Sequence, residues 1–144
     1  MKEYVLGFAF DEKSTNVVLI EKLRPKWQKG LYNAIGGKVE DFDKFPVDAM
    51  IREFNEETSV DLFPNIWNHF ATMIFENDIM GGSAKIYCFK IFSDEIFQCK
   101  TTEDEEIRIY NISDLDKIKT TPNLKMLAYL ALCENVEFIE LKMK

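Results

Sequence analysis

Two kinds of apolar spacing divide the chain. Tyr4 to Phe10 and Asn16 to Lys22, the latter with Val17-Val18-Leu19-Ile20 at its centre, are short continuous apolar runs of strand length. The polar turn Asp11 to Thr15 separates them, so the two are expected to pair as a hairpin. Leu31 to Ile35 is a third short strand, leading into Gly36-Gly37. From Pro46 the period changes: Val47, Met50, Ile51 and Phe54 fall at i, i+3, i+4 and i+7, which predicts a helix with one apolar stripe on a core. Pro46 suits its first turn, where a missing N–H costs nothing. Leu62-Phe63-Pro64 breaks the pattern. Ile66 to Glu76 reads as a strand or two, Asn77 to Ser83 with Gly81-Gly82 as a turn, and Ala84 to Phe92 as a strand. Ser93 to Lys100 carries no clear signal, and Ile107 to Ile112 is again a strand. Thr121-Pro122 reads as N-cap and first-turn proline of a helix from Asn123 to about Glu134, with Leu124, Leu127, Ala128 and Ala131 against the sheet. Val136 to Met143 is a last strand or an ordered tail. Mixed strands with one helix mid-chain and one near the end give an α+β layered class.

Composition narrows the field. A chain of 144 residues with 47% apolar content is expected to be one domain, 1–144, with a real core. The net charge of −7 argues against a nucleic-acid polymer or an anionic membrane surface as partner, but leaves room for a polyphosphate whose charge a divalent metal inverts. The N-terminal residues lack a signal-peptide layout and no run approaches a membrane span, so a cytoplasmic location is expected. Cys88, Cys99 and Cys133 are odd in number and lack metal-ligand spacing, which fits free thiols. His69, the only histidine, is expected to be structural.

The chemistry concentrates on the mid-chain helix. Glu53, Glu56 and Glu57 share a face at i, i+3 and i+4, and like charges so placed repel. Either that face is fully solvated, or a cation sits on it; oxygen ligands on a rigid helix suit Mg²⁺ or Mn²⁺. Lys22 to Gly30 holds four of the eighteen basic residues and reads as a loop, either solvated or a basic rim beside the acidic site.

The stretch from Gly36 to Val60 resembles the Nudix box, G-x5-E-x7-R-E-U-x-E-E-x-G-U, where U is a bulky aliphatic residue. Gly37 takes the opening glycine, Arg52-Glu53-Phe54-Asn55-Glu56-Glu57 the R-E-U-x-E-E core, and Val60 the closing apolar place. Two positions depart from it. Ser59 stands at the last glycine, and the spacing from Gly37 to Arg52 is one residue too long. The first carboxylate then falls on Asp43, counting forward, or on Lys44, counting back; Asp43 is taken, as the partner that steadies the arginine. The resemblance implies a Nudix-type α/β/α sandwich with a mixed sheet and a loop–helix–loop motif. It implies metal ligation by Glu56, Glu57 and the Gly36 carbonyl, with Glu53 a third ligand or the general base. Arg52 orients a carboxylate, and Lys38 is a candidate phosphate contact.

The segment Gly30 to Val39 is similar to a strand of the oxidised-purine nucleoside triphosphate diphosphatases, in which an asparagine at the place of Asn33 bonds the base. The alternative is an Asn that satisfies strand-end backbone groups. Asp104-Glu105 with Tyr110 is similar to an acidic pair that reads the base edge in those enzymes; otherwise it is a solvated charge run. Glu76 and Asp78 flank a turn where many Nudix enzymes supply an extra carboxylate. The reaction implied is hydrolysis of a nucleoside diphosphate-linked substrate, a nucleoside triphosphate before ADP-ribose, giving monophosphate and pyrophosphate. The partner is a small-molecule nucleotide, with a homodimer left open. A binding module without turnover is the alternative from another class.

Overall fold

β1 (Lys2–Phe10) is the axis of the sheet. In the computed structural model, which describes residues 1–78 and 82–144, it lies between a parallel neighbour, β6 (Gly82–Phe92), and two antiparallel ones. The hairpin with β2 (Asn16–Glu21) is confined to the register pair Phe10↔Val17. Below it β4 (Ile35–Lys38) takes over the edge, pairing Gly36 with Leu6 and Gly37 with Val5. β2 turns away to β3 (Tyr32–Asn33) and β7 (Ile107–Asn111). β5 (Asn68–Asp78) is a single strand, antiparallel to β6, and β8 (Ile139–Met143) joins it in parallel. The glycine pair thus sits within a strand rather than a loop. The expected turn at Asn77 to Ser83 falls in part outside the described residues, as does the Asp78 side chain.

The continuous apolar runs follow from burial on both faces. Along β1, Leu6, Phe8 and Phe10 enter one cluster and Val5 and Ala9 the other; along β2, Val17 and Leu19 alternate with Val18 and Ile20. α1 (Pro46–Thr58) covers the second cluster through Ala49, Met50 and Phe54. A Cβ on Gly7 would stand 2.5 Å from Met50 Cε, so that glycine lets α1 approach the sheet. The expected stripe needs one correction. Ile51 is exposed, and Ala49 takes its place, because the contact face is centred on Met50 and Phe54. α2 (Leu124–Leu132) covers the first cluster with Leu124, Leu127, Ala128 and Ala131. It starts later than expected: Thr121 and Pro122 form the turn before it, and Asn123, at φ 72°, is its cap. The layering is that of an α/β/α sandwich. Ser93 to Lys100, without a sequence signal, contains a 3-10 turn at Asp94–Gln98. Among the described residues no helix is long and apolar enough to cross a membrane.

Candidate active site

Arg52 ties the loop before α1 to the helix itself. Its Nη2 donates to Asp43 Oδ2 at 2.8 Å and its Nε to Asp43 Oδ1 at 3.3 Å. Nη2 also reaches the Lys38 carbonyl at 3.2 Å. Asp43 further accepts the Glu40 N–H at 2.8 Å. These bonds, the arginine's first, hold its carboxyl below the usual carboxylate range. Asp43 is thus the arginine's partner, whereas the Lys44 ammonium lies over the Phe45 ring. The extra residue in the spacing is absorbed by the loop ahead of Pro46.

The three helix glutamates do not share one environment. Glu53 accepts from Arg52 Nη1 at 2.9 Å, and its carboxyl lies so close to Gly37 that a Cβ there would stand 2.3 Å from its carboxyl carbon. On the other side of the same strand, a Cβ on Gly36 would stand 2.2 Å from the Val5 carbonyl oxygen. Both glycines are therefore set by close approach. Glu56 is half exposed, 3.6 Å from Arg52 Nη1. Glu57 faces a cavity and has no hydrogen-bond donor among the described residues. Burial pushes its carboxyl up to about 7, with repulsion from Glu103, Glu105 and Glu53 adding to it. Burial also raises Glu53, and the Arg52 hydrogen bond opposes that shift.

These donors fit a hard divalent cation chemically. Burial raises both Glu53 and Glu57, beside a strand stripped of side chains at Gly36-Gly37, so a cation there would relieve both. As they stand, no three acidic, His or Cys side chains among the described residues gather around one point. The expectation of a single acidic trio is corrected to that extent: Arg52 engages Glu53 and Glu56, and Glu57 is turned to the cavity.

That cavity, of about 560 Å³, has an acidic wall of Gly36, Gly37 and Glu57 and apolar walls from Leu6, Met73, Phe75 and Ile86. The loop after β2 contributes Lys22, Pro25, Trp27 and Gln28, and the start of α2 closes the far side with Thr121 to Leu124. Asn33 lines it too. Its Oδ1 accepts the Ala34 N–H at 2.9 Å, and its amide nitrogen has no acceptor among the described residues, so one end serves the backbone and the other is available. The Lys38 side chain is exposed and outside the lining.

Asp104 and Glu105 are where the sequence expectation fails. Neither lines the cavity. Glu105 is buried and fully engaged: Oε2 accepts from Leu23 N–H at 2.7 Å and Arg24 N–H at 3.3 Å, and Oε1 from Lys22 Nζ at 3.2 Å. Asp104 is exposed and forked onto the Arg24 guanidinium. The pair fastens the basic loop, and Glu105 is engaged there rather than turned to the cavity. Gln28 and the turn at Thr121 to Asn123 were not singled out from the sequence, because no local pattern marks a residue brought in by loop packing. His69 sits among the Tyr87, Phe89 and Phe138 rings with Nε2 2.7 Å from Thr72 Oγ1, a structural position. The three cysteines are free.

Comparison with known proteins bears on the fold. Similar folds occur in the NUDIX domain of Shewanella oneidensis NrtR, solved with ADP ribose, at TM-score 0.70 and 14% identity over 90% of this chain and 85% of that one. They occur in a MutT from work on Aliivibrio salmonicida and Vibrio cholerae, at 0.65 and 18% over 92% and 97%. They occur in the E. coli dihydroneopterin triphosphate pyrophosphohydrolase, at 0.71 and 13% over 88% and 91%. Of the longer NrtR chain, solved with a 27mer DNA, this chain spans 59%. At such identities the likeness is one of fold. Among curated protein sequences none matches. The NUDIX domain family matches residues 2–130, nearly the whole chain, and the protein belongs to that family.

Proposed function

We propose that this chain hydrolyses the pyrophosphate bond of a nucleoside diphosphate-linked substrate with Mg²⁺ or Mn²⁺, converting a nucleoside triphosphate, oxidised purines included, to the monophosphate and pyrophosphate. One observation carries the reading. The donor-starved Glu57 and the bare Gly36-Gly37 backbone form one wall of a cavity of nucleoside size. Glu57, Glu56 and the Gly36 carbonyl would hold the metal, with Glu53 as third ligand or as general base. The bound ion supplies charge screening at the phosphates and an acidified water. Arg52 keeps Glu53 oriented against Gly37 and fixes the loop through Asp43. The Asn33 amide nitrogen can donate to a base acceptor, and the exposed Lys38 ammonium, which lies outside the cavity lining, is the proposed contact for a terminal phosphate.

A second reading, a module that holds nucleotide without turnover, is favoured by the hold of Arg52 on Glu53 and Glu56. A pyrophosphate-release assay with Mg²⁺ over nucleoside triphosphates, oxidised purine triphosphates and ADP-ribose separates the two. The expected result is turnover that falls about 100-fold or more in Glu57→Gln with the circular dichroism spectrum unchanged. Wild-type protein that binds nucleotide and releases no product would overturn the hydrolase.

A further inference from the structure

The loop between β2 and β3 carries a feature the chemistry above does not use. Trp27 lines the cavity, yet 49% of its surface is exposed and it packs against no other ring among the described residues. Many rings of this chain are exposed, but this one borders the cavity, where its face is open to whatever enters. The loop that presents it is nonetheless tightly held. Lys22 N–H donates to the Leu31 carbonyl and Gly30 N–H to the Lys22 carbonyl, both at 2.8 Å, which closes the loop at its base. Glu105 then takes the Leu23 and Arg24 N–H groups and the Lys22 ammonium, and Asp104 takes the Arg24 guanidinium.

The segment that supplies those acids is anchored at its other end to α1. The Thr102 hydroxyl donates to the Glu56 carbonyl at 2.6 Å, and Lys100 N–H to the Thr58 carbonyl at 3.1 Å. Residues 100–105 are therefore a strap between the helix end bearing Glu56 and Glu57 and the loop bearing Trp27.

Resting on the hydrolase reading for the other end of the ligand, we infer that Trp27 is the stacking surface for a flat heteroaromatic group joined to a polyphosphate. Glu105, through the strap, is a positioning residue that sets how far this ring stands from the α1 carboxylates. The walls agree in chemistry: apolar side chains from Leu6, Met73 and Phe75 surround a flat group, and Gln28 and Asn33 offer polar edges. Stacking tolerates every base, so Trp27 contributes affinity while the polar edges select.

The test is binding of the α,β-methylene analogues of ATP, GTP, CTP and UTP, and of tripolyphosphate as a probe without a ring, all with Mg²⁺. In wild type, the analogues change the tryptophan fluorescence, and the change disappears in Trp27→Phe while affinity is largely kept. Trp27→Ala weakens the best-bound analogue at least tenfold and tripolyphosphate less than twofold, and raises KM for the matching triphosphate more than it lowers kcat. Glu105→Gln weakens the analogue about fivefold, spares tripolyphosphate, and leaves Trp27 more open to acrylamide quenching. A purely structural Glu105 would weaken both ligands alike. Nucleotide affinity unchanged in Trp27→Ala, or lost in equal measure for both ligands, overturns the inference even if turnover is present. Trp27-dependent binding without pyrophosphate release upholds it and overturns the hydrolase.

Discussion

Glu57 and Glu105 are both glutamates drawn away from water at the two ends of one strap, and they differ in their donors. Glu105 is the more buried, and both its oxygens are matched, by two backbone N–H groups and an ammonium. Glu57 has no donor among the described residues and three acidic neighbours in electrostatic range, so its carboxyl is pushed up to about 7. Burial alone does not make a carboxylate a candidate ligand. Half-burial beside a cavity with no protein donor does, because the carboxyl oxygens are then left to whatever enters the cavity. Glu105 holds a loop, whereas Glu57 faces the cavity with no protein donor among the described residues.

The comparison breaks most visibly at Glu105. Removing it as Glu105→Ala leaves two part-buried backbone N–H groups and the Lys22 ammonium without a partner, an expected loss of about 2 kcal/mol in denaturant unfolding. Glu57→Gln is expected to act in the opposite direction. A carboxyl raised in the folded state stabilises fully below the ordinary carboxylate range, and that stability is lost as pH rises through about 7. The glutamine variant, melted with EDTA at about pH 8, should therefore exceed wild type by roughly 2 °C, a modest shift because the group is only half buried. At about pH 5 the gain should vanish, and Mg²⁺ should stabilise wild type but not the variant. A rise at both pH values would mean that packing rather than charge separates the two glutamates. The smallest effect is at the helix end between them. Ser59 caps α1 at φ 65°, in the left-handed region, so Ser59→Gly should stabilise by about 1 kcal/mol or less and leave both glutamates in place.

The box shows how far local pattern reaches. Gly37, Arg52, Glu53 and Glu57 were legible because their relation is carried by one helix and the strand just before it, and Asp43 could be chosen over Lys44 because a guanidinium needs a carboxylate. The same habit failed at Asp104-Glu105. An acidic pair near a strand looks alike in sequence whether it faces a ligand or a loop eighty residues away.

The order of hydrophobic and polar residues determined most of the strands, both helices and most of their inward faces, since burial on alternate sides of β1 and β2 requires the runs seen there. It also marked Glu53, Glu56 and Glu57 as candidates for a cation, because charge and spacing on a single helix are local properties. Only the tertiary structure decided that Arg52 divides the three glutamates, that Gly36-Gly37 lie in a strand, and that Trp27 stands at the cavity mouth. Those outcomes depend on which backbone donors and which side chains arrive from distant parts of the chain, and such meetings leave no periodic trace in the residues that take part.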